Sequence, residues 1–236
     1  MERKEFLQKG FATALSFAAF TPFVKSCSKN TAGTNTAGDD AGTCTDTPVD
    51  EEGPFPTHTP SSLVTNDITS DREGVPLTIK ITVNNSNNNC SALQNAIVDI
   101  WHCDAAGNYS EYGGSQMQST NYTSVHFLRG RQISNAGGLV TYTSIYPGWY
   151  PGRAPHIHVH IYSADGTSLL ITQIAFPTDA SNTVYSTATQ YYTKGLQGTS
   201  NTEDHVFADS LASELATVAG SVSEGYVLTH LITVAA

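Results

Sequence analysis

The sequence predicts an all-β protein, a β-sandwich of mostly antiparallel strands with few short helices. Several short segments alternate apolar with polar residues, which is the period of a half-buried strand. Turn residues such as Gly, Pro and Asn separate these segments, without the strand–helix–strand spacing of a parallel sheet. Only 14% of the residues are charged and 39% are hydrophobic, a composition that excludes a disordered chain and does not suit a coiled coil.

The first two strands are predicted on either side of an asparagine-rich turn. Residues 77–83 (LTIKITV) alternate strictly, residues 84–89 (NNSNNN) form the turn, and residues 96–101 (AIVDIW) supply a second apolar segment. Two such segments joined by a turn are typical of a β-hairpin. We therefore expect these two strands to pair with each other.

Three further strands are predicted at residues 139–145, 156–162 and 169–176. Pro147 and Gly148 interrupt the chain after the first of them. Asp165 and Gly166 form a strong turn dipeptide before the last. A single amphipathic helix is expected, around residues 207–218.

The N-terminal 27 residues have the features of an export signal. Arg3 and Lys4 lie in a charged start, which also resembles a twin-arginine signal, and residues 11–24 form an apolar run that is short for a membrane span. Cys27 follows at a lipoprotein-like cleavage site. We expect an exported protein, periplasmic or in the cell envelope, that is anchored to the membrane only through a lipid on Cys27. An ordinary secretory signal and an uncleaved anchor are the alternatives.

Residues 28–47 and 48–236 differ in composition. The first range is a flexible low-complexity linker with a duplicated Thr-Ala-Gly motif. The second range forms the folded domain, which is long enough to bury one good core.

The charge distribution excludes a nucleic-acid-binding protein. The net charge is −10, and beyond residue 30 only six Lys and Arg face nineteen Asp and Glu. Nucleic-acid binding requires a basic surface, whereas this surface would repel phosphate.

The four cysteines leave the disulfide pairing open. If Cys27 carries a lipid, Cys44, Cys90 and Cys103 remain, so at most one bridge forms. Cys90 lies in the predicted turn and Cys103 lies beyond the far end of the following strand. A strand rises about 3.3 Å per residue, which separates these two too far to bond. We expect Cys44 to pair with Cys103.

Three histidines occupy alternate positions of one predicted strand, His156, His158 and His160. Alternate side chains of a strand point to the same side, with Cα atoms about 6.6 Å apart. Two imidazoles at this spacing can bind one metal ion, and zinc, copper and iron all accept such a pair.

Two tyrosines near this strand favour iron. Tyr150 precedes His156 by a short segment rich in Pro and Gly, and Tyr109 follows a turn directly after a predicted strand. Phenolate oxygen suits a hard, high-valent cation, and a bound cation promotes loss of the phenol proton. Two Tyr and two His together therefore favour ferric iron.

Four segments resemble the intradiol ring-cleavage dioxygenases, the family of catechol 1,2-dioxygenase and protocatechuate 3,4-dioxygenase. They are residues 52–55 (EGPF), 96–110 (AIVDIWHCDAAGNYS), 145–158 (IYPGWYPGRAPHIH) and 172–174 (TQI). The resemblance runs from about Cys44 to the C-terminus. It implies a non-haem Fe(III) enzyme that cleaves a catechol-type ring with O2 to a muconate-type diacid.

The resemblance also implies roles for individual residues. Tyr109, Tyr150, His156 and His158 would bind the iron, and Tyr150 would be the ligand that a catechol displaces. Arg153 and Gln173 match positions that steady charge beside the ring. The suggested walls of the substrate pocket are Trp101, Tyr146 and Trp149.

Some features depart from the family pattern. The segment between Tyr150 and His156 is short, Arg153-Ala-Pro replaces Arg-Pro-Ala, and the N-terminal helical region of the catechol dioxygenases is missing from the sequence. These departures suggest an exported, compact relative with an open pocket. The particular catechol and the oligomeric state stay open. A surface lipoprotein that binds metal or ligand without turnover, and a zinc or copper enzyme using the histidine pair, are the alternative functions.

Overall fold

A computed structural model of the chain describes residues 44–236. The predicted export signal, Cys27 included, and residues 28–43 of the predicted linker lie outside the described residues. Residues at the end of that linker are attached to the domain, since Cys44 forms a disulfide and the Thr47 backbone N–H donates to Thr233 O over 2.9 Å. In the described part, no helix has both the length and the apolar character needed to cross a membrane.

Residues 44–236 contain nine strands and two short α-helices. The strands are β1 (Pro76–Asn85), β2 (Ser91–Ala92), β3 (Ile97–Trp101), β4 (Arg129–Ile133), β5 (Leu139–Ile145), β6 (His156–Tyr162), β7 (Ser168–Ala175), β8 (Thr217–Ser221) and β9 (Gly225–Val234). The helices are α1 (Thr178–Thr187) and α2 (Leu211–Glu214).

The strands form two sheets. In the five-stranded sheet, β1 pairs with β5 and the short β2 along one edge and with β9 along the other, and β8 completes the sheet beside β9. The β1–β9 pair is parallel, and the other pairs of this sheet are antiparallel. The four-stranded sheet has the order β4-β3-β6-β7 and is antiparallel throughout.

The hydrophobic core lies between the sheets. Alternate residues of β1 and β6 face it, which is what the period of two requires. The core-facing residues of these two strands are Leu77, Ile79, Ile81, Val83, Ile157, Val159 and Ile161, all 0–1% exposed. The predicted fold class, an all-β sandwich with few short helices, is confirmed.

The expected pairing of the first two strands is wrong. Residues 91–92 do turn back and pair with Asn84 and Asn85, so the asparagine-rich turn makes a hairpin. Each arm of this hairpin is only two residues long. Asn95 then adopts a left-handed φ of 64°. The chain crosses from there to the other sheet, where β3 pairs with β4 and β6.

The helix expected at residues 207–218 is also wrong for most of its length. Only Leu211–Glu214 is α-helical, and Thr217 begins β8. Phe207, the first residue of the predicted helix, instead packs together with Val206 against Ala154 and Ala175. Helix α1 was not expected, since its polar sequence buries only Ser181, Val184 and Tyr185.

The expected Cys44–Cys103 bridge is wrong as well. Cys44 pairs with Cys90, with a Cα–Cα distance of 5.7 Å, and Cys103 is a buried free thiol. The reason is the parallel β1–β9 pair, whose C-terminal ends lie at the same edge of the sheet. The segment after Cys44 runs beside the end of β9, and Cys90 lies in the turn that follows β1.

Candidate metal centre

Strand β6 supplies two histidines on the face turned away from the core. His156 and His158 alternate with Ile157 and Val159, so the pleat of the strand directs them to the outer side of the four-stranded sheet. They are nevertheless 2% and 1% exposed, because loops cover this side. Their Nε2 atoms lie 3.1 Å apart.

Two loops bring tyrosine hydroxyls to the same point. Tyr109, from the loop after β3, places its Oη 3.2 Å from Nε2 of His156 and 3.2 Å from Nε2 of His158. Tyr150, from the β5–β6 loop, places its Oη 3.4 Å from Nε2 of His156. The structure thus brings together the four residues predicted as metal ligands.

Each of these four distances fits a pair of ligands on one metal ion. Two ligands that each lie about 2.1 Å from a common centre, at angles of about 95 to 110°, are separated by 3.1 to 3.4 Å. The orientation of His156 also fits, since its Nδ1 donates to Ala154 O over 2.6 Å and its Nε2 therefore presents a lone pair to the centre. Nδ1 of His158 has no hydrogen-bond partner among the described residues.

When no cation is near, burial keeps the four candidate ligand groups, two imidazoles and two phenols, uncharged. It lowers the pKa of His156 to about 3 and the pKa of His158 well below its ordinary value. Burial also raises the pKa of Tyr150 to about 12 and that of Tyr109 well above its ordinary value. A cation would offset this penalty, because it stabilises phenolate and binds neutral imidazole.

Two residues pack closely against the His158 ring. The Trp101 indole stacks on it with centroids 5.0 Å apart and planes 2° apart. Gly53 lies near its Cε1 atom, to which a Cβ would come within 2.9 Å, and its φ is +74°. Glycine is therefore required at this position both for space and for backbone conformation.

The Tyr109 loop is fixed by buried polar contacts. The Gln118 amide accepts from Tyr109 N over 2.6 Å and donates to Tyr109 O over 2.8 Å. Phe55 stacks on the Tyr109 ring with centroids 4.7 Å apart. The fully buried Arg129 donates to Phe55 O and Ser110 O, which joins the two segments. The sequence analysis missed Gln118 and Arg129, which no local motif marks.

Arg153 links Tyr150 to Gln173. Its NH1 lies 3.5 Å from Tyr150 Oη, its NH2 donates to Gln173 Oε1 over 2.6 Å, and its Nε lies 3.0 and 2.9 Å from the two Asp204 carboxylate oxygens. Asp204 is fully buried and also accepts from Ala154 N over 2.6 Å. The sequence analysis missed Asp204, since it lies 51 positions from Arg153 and has no recognisable motif around it.

A cavity of about 700 Å³ opens at Tyr150. Its walls combine apolar residues, two acidic residues, a histidine and one arginine. The lining residues are Glu51, Glu52, Gly53, Pro54, Met117, Tyr150, Pro151, Gly152, Arg153 and His205.

The three residues suggested as pocket walls do not line this cavity. Trp101 lies behind His158, and Tyr146 lies in the core between the sheets, where its hydroxyl is 2.9 Å from Ser181 Oγ. Trp149 turns away to donate its indole N–H to Gly195 O over 2.9 Å. Aromatic type and nearness in sequence to the metal site did not reveal which way these side chains point.

His160, the third histidine of the strand, lies outside the cluster. Its Nε2 is 2.8 Å from Ser168 Oγ and its Nδ1 is 2.8 Å from Tyr162 Oη. Both nitrogens therefore have partners away from the other two histidines.

Comparison with known proteins identifies relatives of this chain. The family model Dioxygenase_C, described as a dioxygenase, matches residues 52–206, a range that includes all four donors. A chlorocatechol 1,2-dioxygenase of Rhodococcus opacus is 30% identical over 106 residues, which cover 37% of this chain and 38% of that protein. The chain thus matches less than two fifths of the length of this relative.

Two solved structures are similar over most of the described residues. An intradiol ring-cleavage dioxygenase from Tetranychus urticae is 28% identical, with a TM-score of 0.71, over 81% of this chain and 95% of that one. The dioxygenase domain of a carbohydrate-binding fusion protein from Streptomyces sp. SirexAA-E is 28% identical, with a TM-score of 0.58, over 80% of this chain and 97% of that one. Because the family model matches more than half of the chain, we conclude that the chain belongs to the intradiol ring-cleavage dioxygenase family.

Proposed function

We propose that this protein cleaves a catechol-type ring with O2 at a non-haem Fe(III) ion and releases a muconate-type diacid. Tyr109, Tyr150, His156 and His158 would hold the ion. One observation carries the proposal: two phenol oxygens and two imidazole nitrogens converge at 3.1 to 3.4 Å in a buried site. When bound, ferric iron supplies a Lewis acid that draws electron density from a coordinated catechol.

Tyr150 would act as the proton acceptor. Of the four donors it alone lines the cavity, so an entering catechol meets its hydroxyl first. Bound to the ion, Tyr150 would be a phenolate, and a phenolate that leaves the ion regains its affinity for a proton. Its Oη would therefore take a proton from a catechol hydroxyl.

Arg153 and Gln173 would stabilise negative charge beside the ring. The guanidinium is rigid, since Asp204 holds its Nε and Gln173 holds its NH2. Gln173 is held in turn, because its Nε2 donates to Glu51 O over 3.0 Å. Groups positioned before the reaction need no reorganisation as charge develops, which makes their stabilisation effective.

Colour and oxygen uptake test the proposal. Tyrosinate bound to Fe(III) gives a visible charge-transfer band, so the iron-loaded protein should be burgundy and should consume O2 with at least one of a panel of catechols. Tyr150→Phe should shift or weaken the band and slow turnover. Tyr191→Phe, at a partly exposed tyrosine outside the site, is the matched control and should change neither.

Two results would contradict the proposal. A protein that stays colourless after iron loading would exclude the two-tyrosinate iron site. A coloured protein that takes up no O2 with any catechol would favour the alternative, a surface β-sandwich that binds metal or ligand without turnover.

We also propose that the protein is exported and attached to the membrane by a lipid on Cys27. The Cys44–Cys90 disulfide supports an oxidising compartment. Metabolic labelling with palmitate should mark the wild type and not Cys27→Ala, and equal labelling of both would overturn the lipid attachment.

A further inference from the structure

The mouth of the cavity is acidic. Glu51 and Glu52 line it, with side chains 59% and 44% exposed. The Glu51 carboxylate lies 3.2 Å from His205 Nε2, so it stands between two segments that line the mouth. Both acids belong to the segment whose next residue, Gly53, touches the His158 ring. They therefore lie beside the route from solvent to the four donors.

The arginine that lines the cavity is already engaged. Its side chain is 5% exposed and its three nitrogens face Asp204, Gln173 and Tyr150. Among the described residues that line the cavity, no other Lys or Arg occurs. A substrate carboxylate at the mouth would therefore meet two carboxylates and no available Lys or Arg among the described lining residues.

The charge of the whole domain acts in the same direction. Residues 44–236 contain six Lys and Arg against seventeen Asp and Glu. Arg72 and Arg131 are paired with acids, like Arg153. The resulting negative potential attracts cations and repels anions as they approach.

We propose, as an extension of the proposed function, that Glu51 and Glu52 select catechols with a cationic alkylammonium substituent over catechols with a carboxylate. The apolar residues Pro54, Met117 and Pro151 would contact the ring and its alkyl chain. The ammonium group would then reach the two carboxylates at the mouth.

Three catechols of similar size test this inference: 3,4-dihydroxyphenethylamine, 4-ethylcatechol and 3-(3,4-dihydroxyphenyl)propionate. Their kcat/KM values, and their Kd values measured without O2, should favour the ammonium over the carboxylate compound by about tenfold, the size expected of two exposed charge pairs. Raising the salt from about 0.02 M to about 0.5 M should reduce this ratio, because salt screens exposed charges.

The double variant Glu51→Gln and Glu52→Gln should bring the ratio to within about twofold, since it removes the two exposed charges that set the preference. Glu224→Gln, in the β8–β9 turn, removes one charge away from the cavity and should keep the wild-type ratio. If 4-ethylcatechol is cleaved but the wild type shows no preference for the ammonium compound, or the double variant keeps it, the selectivity inference fails and the proposed function stands. If none of the three binds or reacts, the selectivity inference also fails, and O2 uptake with the wider panel of catechols decides the proposed function.

Discussion

Over residues 156–159, the two sides of strand β6 are both buried, and they differ in almost every other respect. On one side, Ile157, Val159 and Ile161 are 0% exposed and pack against the other sheet. On the opposite side, His156 and His158 are 2% and 1% exposed, but loops cover them. The difference shows that burial alone does not identify a core position, because the covering element decides what the buried residue can do.

Hydrogen bonding separates the two sides further. The core side carries no polar side chains that need partners. The loop side leaves His158 Nδ1 and the Trp101 indole N–H without a hydrogen bond to any described residue. It also gathers four candidate ligand atoms whose shared partner would be a cation. We therefore expect core-side changes to alter stability and loop-side changes to alter metal binding.

The largest expected effect is on activity, from Tyr109→Phe. The change removes one of the four donors but keeps the ring stacked on Phe55. The visible band of the iron-loaded protein should be lost or much reduced and O2 uptake should fall more than about a hundredfold, since even changes around metal ligands cost about ten- to a hundredfold. The free energy of unfolding without iron should change by less than about 1 kcal/mol.

Tyr185→Phe is the matched control for this experiment. Tyr185 is a core tyrosine whose hydroxyl donates to Pro147 O over 2.9 Å. Its variant should lose about 1 kcal/mol of stability and keep both colour and activity. A normal visible band in Tyr109→Phe would show that the two sides of β6 do not differ in the way described.

Asp204→Asn should produce the largest loss of stability. The change removes the buried charge opposite Arg153 and leaves that guanidinium, 5% exposed, without its carboxylate. Breaking a buried ion pair on one side costs about 3–5 kcal/mol. Denaturant unfolding should show this loss, while Asp209→Asn, at an exposed position nearby, should be neutral. Equal stability of the two variants would mean that the Arg153–Asp204 pair has no structural role.

Ile157→Ala probes the core side directly between the two histidines. Removing a fully buried isoleucine side chain should lower the free energy of unfolding by about 3 kcal/mol. Iron content and colour should persist in the folded protein, because the side chain points away from the donors. Leu231→Ala, at a half-exposed leucine of β9, should cost much less. Loss of iron from folded Ile157→Ala would contradict the separation of the two sides.

The smallest expected effect concerns a third kind of buried residue, a carboxyl group without a cation. Glu214 is 0% exposed, and burial, with Asp50 nearby, raises its pKa to about 7 from 4.5. The folded state binds this proton more tightly than the unfolded chain does. The protonated Glu214 therefore contributes to the free energy of unfolding in full below pH 4.5, and the contribution is lost as the pH rises through 7.

Glu214→Gln should remove that pH dependence. Between pH 5 and pH 8, the wild type should lose about 2 kcal/mol of stability relative to the variant. Unfolding measured at both pH values gives the difference. The same wild-type-to-variant difference at both pH values would show that Glu214 does not titrate in this range.

The sequence allowed the fold class and part of the site to be predicted. Alternation of residue types in β1 and β6 reports which side is buried, and the spacing of His156 and His158 places them on one face whatever the rest of the fold does. Tyr109 and Tyr150 were assigned through the family resemblance, because loops carry them. Their positions relative to β6 depend on long-range packing.

What could not be predicted rests on contacts between distant segments. Gln118 and Asp204 act through hydrogen bonds formed only after loops fold over the sheet. The β1–β3 hairpin and the Cys44–Cys103 bridge were wrong for a related reason. The hairpin was inferred from adjacent segments, and the bridge from the strand length between Cys90 and Cys103. Neither argument includes the parallel pairing of β1 with β9, which joins segments about 150 residues apart.

The His158 ring, stacked on Trp101 and closed off by Gly53, has its orientation set when the protein folds. Fixing such a side chain on binding would cost about 0.5–1.5 kcal/mol of rotational entropy. Here folding has already met that cost, so an arriving ion need not wait for the imidazole to find its rotamer. Enlarging the space around the His158 ring on the Trp101 side should therefore slow ion capture and speed ion release, even with every ligand still in place.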